Sequence, residues 1–353
     1  MLAHRLTAAQ SHTCVRFGDA RGWCWGTNGH GELGVDPRDG GRFDPRPTPI
    51  EDRAEPGART LAGYLATAMI TASGEVRLRG LDPAPPHTGA VHTEWSPANL
   101  PLHPTDLSLA GSLLCGVFAG EVRCLGRDEY GEIFTPHRVP HDSAVGEALE
   151  GLSRITAITL GGSALFAVRD DGAVLCVGSN EDGVCGAPSD HATLREVAGL
   201  PPTLRVAQSA HDACALTRSG EVWCWGGNVY NVLGDGTTQP RSTPARVGGL
   251  SAVTDLGMSS LGSACAVMNA QVYCWGWPVG PSRPGVDGVP RPTRVEGLDD
   301  VVEVALGSTY ACALTRRDEV WCWGDRYLGQ LGDGVIDNEP ARAPVRVLLP
   351  RTE

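Results

Sequence analysis

The sequence predicts an all-β fold, a seven-bladed β-propeller with four-stranded blades, laid out as one propeller domain over residues 1–353. Three observations predict it. A strand-closing glycine recurs at Gly26, Gly80, Gly126, Gly178, Gly226, Gly276 and Gly324, at intervals of 46 to 54 residues, so seven units fill the chain. Each unit holds roughly four short strands, and several strands within a period of about fifty residues mark a propeller or solenoid. No segment sustains a helical period, which suits a propeller better than a helical solenoid.

The unit is clearest in residues 310–334, YACALTRRDEVWCWGDRYLGQLGDG. Residues 312–314 and 320–323 are β-branched, aromatic or small, and they flank a charged connector, which signals a hairpin. Alternation puts Trp321 and Trp323 on one side and Val320 and Cys322 on the other. Gly324 ends the arm, and GQLGDG supplies residues that accept left-handed turn angles. A proline-containing strand follows, ending at Ile50, Val247, Val295 or Val347 in four units. A Gly-Leu turn such as Gly297-Leu298 then leads into an apolar alternation such as Val302, Val304, Leu306. The tryptophan position is filled by Trp25, Trp225, Trp275 and Trp323 in units one, five, six and seven, but by Arg79, Leu125 and Val177 in units two, three and four. If the ring closes seven onto one, one arc is regular and the opposite arc divergent. Residues 81–104 diverge furthest and read as a solvated loop inserted into unit two.

Twelve cysteines form couples. Cys14 with Cys24, Cys115 with Cys124, Cys214 with Cys224, Cys265 with Cys274 and Cys312 with Cys322 each place one sulfur on either arm of a hairpin. Facing residues of a non-hydrogen-bonded antiparallel pair lie about 4.5 Å apart at Cα, within disulfide reach. In unit two both positions change together, to Ala68 and Leu78. In unit four Phe166 replaces the first cysteine, and Cys176 is expected to pair with the extra Cys185. The rival readings are buried free thiols and zinc, but zinc usually takes Cys-x-x-Cys spacing, which is absent. Disulfides imply an oxidising compartment, hence an extracellular or cell-surface location, against a start without a visible signal peptide; a cytoplasmic location is the alternative.

The net charge of −12, with 29 Lys+Arg against 41 Asp+Glu, argues against nucleic-acid binding, and no apolar run is long enough to span a membrane. There is no HExxH, GxSxG or phosphate-binding loop, so no enzyme activity and no cofactor is expected. Asp235 and Asp333, each between two glycines, offer one side-chain ligand where calcium takes six to eight oxygens, and read as turns. His12 and His211 precede cysteine strands at what read as matching positions, which implies a hydrogen bond inside the blade. His87, His92, Trp95 and His103 fall in the 81–104 insertion, as a recognition loop or, alternatively, a metal site. Tyr130, Tyr230 and Tyr327 sit in the Gly-rich loops, where aromatic tips on one rim suit a protein partner; packing against the neighbouring blade is the alternative.

The phrase His12-Thr13-Cys14, Trp23-Cys24-Trp25-Gly26, Asn28, Gly31, Leu33-Gly34 resembles the regulator-of-chromosome-condensation repeat, and it recurs around Cys214, Trp225-Gly226, Asn228 and Leu233-Gly234. The resemblance spans the chain and implies a seven-bladed propeller; the paired cysteines resemble the bacterial, disulfide-bearing type of that family. Its best-known activity is guanine-nucleotide exchange on a small GTPase, through inter-blade loops that the repeat motif does not define. The resulting expectation is a non-enzymatic, monomeric, extracytoplasmic protein-binding scaffold with its binding loops on the propeller rim. The alternatives are a guanine-nucleotide exchange factor and a carbohydrate-binding propeller.

Overall fold

The computed structural model describes residues 5–18, 21–38, 44–52, 58–63, 65–81, 91–128, 133, 141–161, 164–180, 182–186, 191–277 and 288–350. They form seven antiparallel sheets, each of four consecutive strands, arranged as a seven-bladed propeller. Blade one comprises Leu6–Ala8, His12–Arg16, Gly22–Thr27 and Pro45–Glu51; blade seven comprises Val301–Leu306, Tyr310–Thr315, Val320–Gly324 and Ala341–Arg346. In both blades the second strand is buried along its whole length, and the fourth is the half-exposed outer edge.

The seven recurrent glycines close the third strand with φ between 87° and 129°. A Cβ on Gly26 would lie 2.2 Å from the Ser11 carbonyl oxygen, and one on Gly226 2.4 Å from that of His211. Only glycine fits there, which is why this residue carries the period. The register of strands three and four shifts at these glycines, for example between Cys224 and Gly226, and turns the chain out into its loop.

Neighbouring blades are clasped by side chains. Trp25 Nε1 donates to the Gln330 carbonyl at 2.9 Å, Trp275 Nε1 to that of Val232 at 2.6 Å, and Trp225 Nε1 to that of Val184. Each acceptor stands at the same place in the Gly-rich loop of the preceding blade. Arg79 takes the tryptophan position in blade two, and its Nε donates to the Glu32 carbonyl at 2.9 Å. The loops are themselves stapled: Asn28, Asn180 and Asn228 each accept, through Oδ1, the backbone N–H five residues on.

The inner strands carry a second set of crossings. Arg5, Arg59, Asp106, Ala157, Arg205, Asp255 and Glu303 occupy one level around the axis, two residues before the partner of each strand-two cysteine or its replacement. Asp106, Asp255 and Glu303 accept backbone N–H groups of the next blade, from Ile158 at 2.9 Å, Val304 at 2.8 Å and Leu6 at 3.0 Å. Arg205 pairs with Asp255, and Arg5 with Glu303.

All six expected cysteine couples lie at disulfide distance, and among the described residues there is no free cysteine. Five cross directly opposed residues of strands two and three. They are Cys14 with Cys24, Cys115 with Cys124, Cys214 with Cys224, Cys265 with Cys274 and Cys312 with Cys322, with Cα atoms 4.0 to 4.2 Å apart. The sixth, Cys176 with Cys185, joins strand three to the loop, because Cys185 stands where Leu33 packs against Cys14 and Cys24 in blade one.

The ring closes without strand exchange; backbone bonds from Ser308 N–H to the Gln10 carbonyl at 3.1 Å and from Gly334 N–H to the Pro47 carbonyl at 2.8 Å join blade seven to blade one, and side chains add to them. Tyr310 of blade seven is fully buried against blade one; its hydroxyl lies 2.8 Å from both Thr13 Oγ1 and the His12 carbonyl. Tyr310→Phe leaves the His12 carbonyl and the Thr13 hydroxyl without this partner and is expected to lower unfolding stability by about 1–2 kcal/mol, read as a lower urea midpoint at unchanged slope. Tyr327→Phe, on an exposed loop, should leave the midpoint in place. A second prediction concerns the sulfurs: intact protein should take up no iodoacetamide until it is reduced, and twelve equivalents afterwards, by mass spectrometry.

Candidate protein-interaction face

In an antiparallel meander, the turns between strands one and two and the loops between strands three and four share one face of the ring. On that face, blades four to six bring together a compact group. His211 Nδ1 lies 2.6 Å from Asp182 Oδ2, joining the turn of blade five to the loop of blade four. Beside them Asp212 is buried: it accepts the Asn228 N–H at 2.7 Å and the Ser209 hydroxyl at 3.3 Å. Burial, chiefly, raises its carboxyl to about 6. The Tyr230 ring lies over Gly262 and meets Trp277 edge to face, with centroids 4.6 Å apart. Val229 and Leu261, the residues before Tyr230 and Gly262 in the chain, are 59% and 40% exposed. The result is an aromatic and apolar surface bordered by a histidine–carboxylate pair, carried by three disulfide-bearing blades.

The other candidate residues are dispersed. Tyr327 lies exposed on the same face in blade seven. His87 and Tyr130 lie outside the described residues. Within residues 81–104 the solvated-loop expectation gives way at 91–97 to a strand: His92 and Trp95 belong to Val91–Pro97, the fourth strand of blade two. Trp95 packs there under the Arg79 guanidinium, 4.4 Å from ring centroid to carbon, so it serves the arginine that replaced the blade's tryptophan. His103 lies at the far end of the blade, where its backbone N–H donates to the Gly74 carbonyl at 2.6 Å. The described histidines of this segment therefore do not converge. Among the described residues no three His, Cys, Asp or Glu side chains are grouped as a metal site would need. Asp235 and Asp333 each accept the N–H two residues on, in tight turns.

His12 and His211 do not match. His12, opposite Gly26, corresponds to Asp212, opposite Gly226, and His211 is one residue earlier. His12 is buried and crosses to blade two, its Nε2 3.1 Å from Thr67 Oγ1, rather than bonding inside its own blade. Burial, then the Arg79 charge, lower it to about 3, so it is neutral. Thr67 donates in turn to the Glu32 carbonyl at 2.8 Å. Trp277 was not legible as a site residue, because its partner Tyr230 comes from the preceding blade.

The same blade one–two junction holds a buried acid. Glu32 Oε2 accepts the His30 N–H at 2.7 Å, as Gln330 Oε1 accepts that of Leu328 at 2.8 Å in blade seven. Burial raises Glu32 from 4.5 to about 7, with Asp44 adding to the rise.

The architecture defines the class first: a seven-bladed propeller of consecutive four-stranded repeats, six of its blades carrying a disulfide. The repeats are of a named kind. Residues 219–265 and 301–330 match models of the Regulator of chromosome condensation (RCC1) repeat, so the chain carries RCC1 repeats. It is 30% identical over 173 residues to human E3 ubiquitin-protein ligase HERC2, a match covering 46% of this chain and 4% of that protein's length. Two solved structures share the fold. Human WBSCR16 aligns at a TM-score of 0.74 and 22% identity over 94% of each chain. Prp20p from Saccharomyces cerevisiae aligns at 0.77 and 16% identity, over 98% of this chain and 88% of that one.

Glu32→Gln supplies a direct test of the junction. A carboxyl raised in the folded state favours folding below its unfolded value, and that contribution is lost as pH rises through the folded value. The wild type should therefore lose stability relative to Glu32→Gln between pH 4.5 and about 7, and no further above it, as read from thermal midpoints.

Proposed function

We infer that this chain is a protein-binding scaffold that works outside the cytoplasm, with the face formed by Asp182, His211, Tyr230, Leu261 and Trp277 as its contact surface. The observation that carries this reading is the paired, partly exposed Tyr230 and Trp277, on the same face as exposed Val229 and Leu261. Rigid aromatic anchors bordered by polar groups are the usual energetic centre of protein interfaces. Six disulfides support an oxidising location. The fold supports the class of function: the solved Prp20p is described by its binding to Gsp1p and histones.

A second reading is carbohydrate binding, favoured by carboxylates beside aromatic rings at the same face. Guanine-nucleotide exchange rests on the repeat and fold alone. Cross-linked partners captured by the wild type, a glycan array and nucleotide release from a small-GTPase panel separate the three. Tyr230→Ala with Trp277→Ala should weaken a captured protein partner by about thirtyfold or more, equivalent to about 2 kcal/mol, with the urea midpoint little changed. Unaltered capture by the double variant would move the interface off this face.

A further inference from the structure

Five disulfides of this chain form a natural comparison set. Each spans 9 or 10 residues and joins directly opposed positions of a hairpin. Loop-closure entropy therefore does not distinguish them. Nor does exposure, since both cysteines of each are buried. Their electrostatic surroundings do. Arg79 Nη2 donates to Cys24 Sγ at 3.2 Å. Among the described residues no other disulfide sulfur meets a guanidinium; Cys312 Sγ, for instance, has the Thr13 hydroxyl 3.9 Å away.

Arg79 is held firmly in that position. Its Nη1 donates to Asp52 Oδ1 at 2.7 Å, its Nε to the Glu32 carbonyl at 2.9 Å, and its guanidinium carbon lies over the Trp95 ring. Asp52 also pairs with Arg16, so two guanidiniums share one carboxylate beside the sulfur. A cation next to a thiol lowers its pKa, and a low-pKa thiol is the better leaving group in exchange.

We propose that Cys14–Cys24 is a thiol–disulfide exchange site, the first of the hairpin disulfides to open to a small dithiol. A thiolate of the dithiol attacks Cys14 Sγ, the sulfur–sulfur bond breaks, and its electron pair leaves on Cys24 as a thiolate facing Arg79. The second thiol of the reagent then resolves the mixed disulfide, which releases Cys14 as a thiol and a cyclic disulfide as the oxidised product. Because Arg79 is also the clasp to blade two, exchange here acts on the junction between blades one and two. The site stands apart from the proposed contact face, so neither reading depends on the other.

The test equilibrates the full chain in graded ratios of reduced to oxidised dithiothreitol, traps thiols with iodoacetamide and maps them by mass spectrometry. Cys14 and Cys24 are expected to become alkylated at a ratio at least tenfold lower than the Cys214–Cys224 and Cys312–Cys322 pairs, which is about 30 mV for a two-electron couple. Arg79→Trp installs the residue that stands here in four other blades and should move this pair into the range of the rest; Arg79→Lys keeps the charge and should keep the early opening. Opening of Cys14–Cys24 together with or after the others in the wild type overturns the proposal, as does an unchanged order in a folded Arg79→Trp.

Discussion

The structure depends on a hydrogen bond made repeatedly across its blade junctions, from a side-chain N–H on the third strand to a carbonyl in the loop of the blade before. Trp25, Trp225, Trp275 and Arg79 all make it. A buried indole N–H needs an acceptor, and a buried loop carbonyl needs a donor; each answers the other's requirement. The acceptor's loop must come close for this. Gly332 lies against the Trp25 ring and Gly234 against that of Trp275, where a Cβ would be within about 3 Å. The Leu-Gly of the loop and the Trp-Gly of the strand are thus two halves of one contact, shared by consecutive blades.

Arg79 shows what the contact tolerates. It keeps the hydrogen bond and brings a charge into a buried site, which would be costly without Asp52 to pair it and Trp95 to cover it. Of these four clasps it is the ionic one, and a buried acid, a neutral histidine and a disulfide lie together around it. The three tryptophan clasps are neutral and alike. A ring held this way is a stiff platform, and its loops are free to differ from blade to blade.

Reading the chain as repeats recovers what lies inside one hairpin. Cys115 and Cys124, Cys265 and Cys274, and Cys312 and Cys322 are opposed because strand residues alternate. Cys185 stands in for a missing partner at a position filled by leucine in blade one. Tyr230 could be picked out because it sits on a loop of known place. The misreading of His12 and His211 is a shift of one residue, and a shift of one moves a side chain to the other face of the strand. Trp95 was hidden because the fourth strand of blade two lacks the internal proline that marks the fourth strand of blades one, five, six and seven, so its edge strand looked like loop.

The sequence by itself determined the fold class, the seven-fold period, the cysteine partners and the arcs of regular and divergent blades. All of these follow from local rules: strand alternation, glycine's access to positive φ, and the reach of a disulfide across a hairpin. Only the tertiary structure decided which blade each clasp reaches, how Tyr230 meets Trp277, and how Asp106, Asp255 and Glu303 hold the next inner strand. These contacts join residues of different repeats, and no local pattern reports a distance set by packing one sheet against the next.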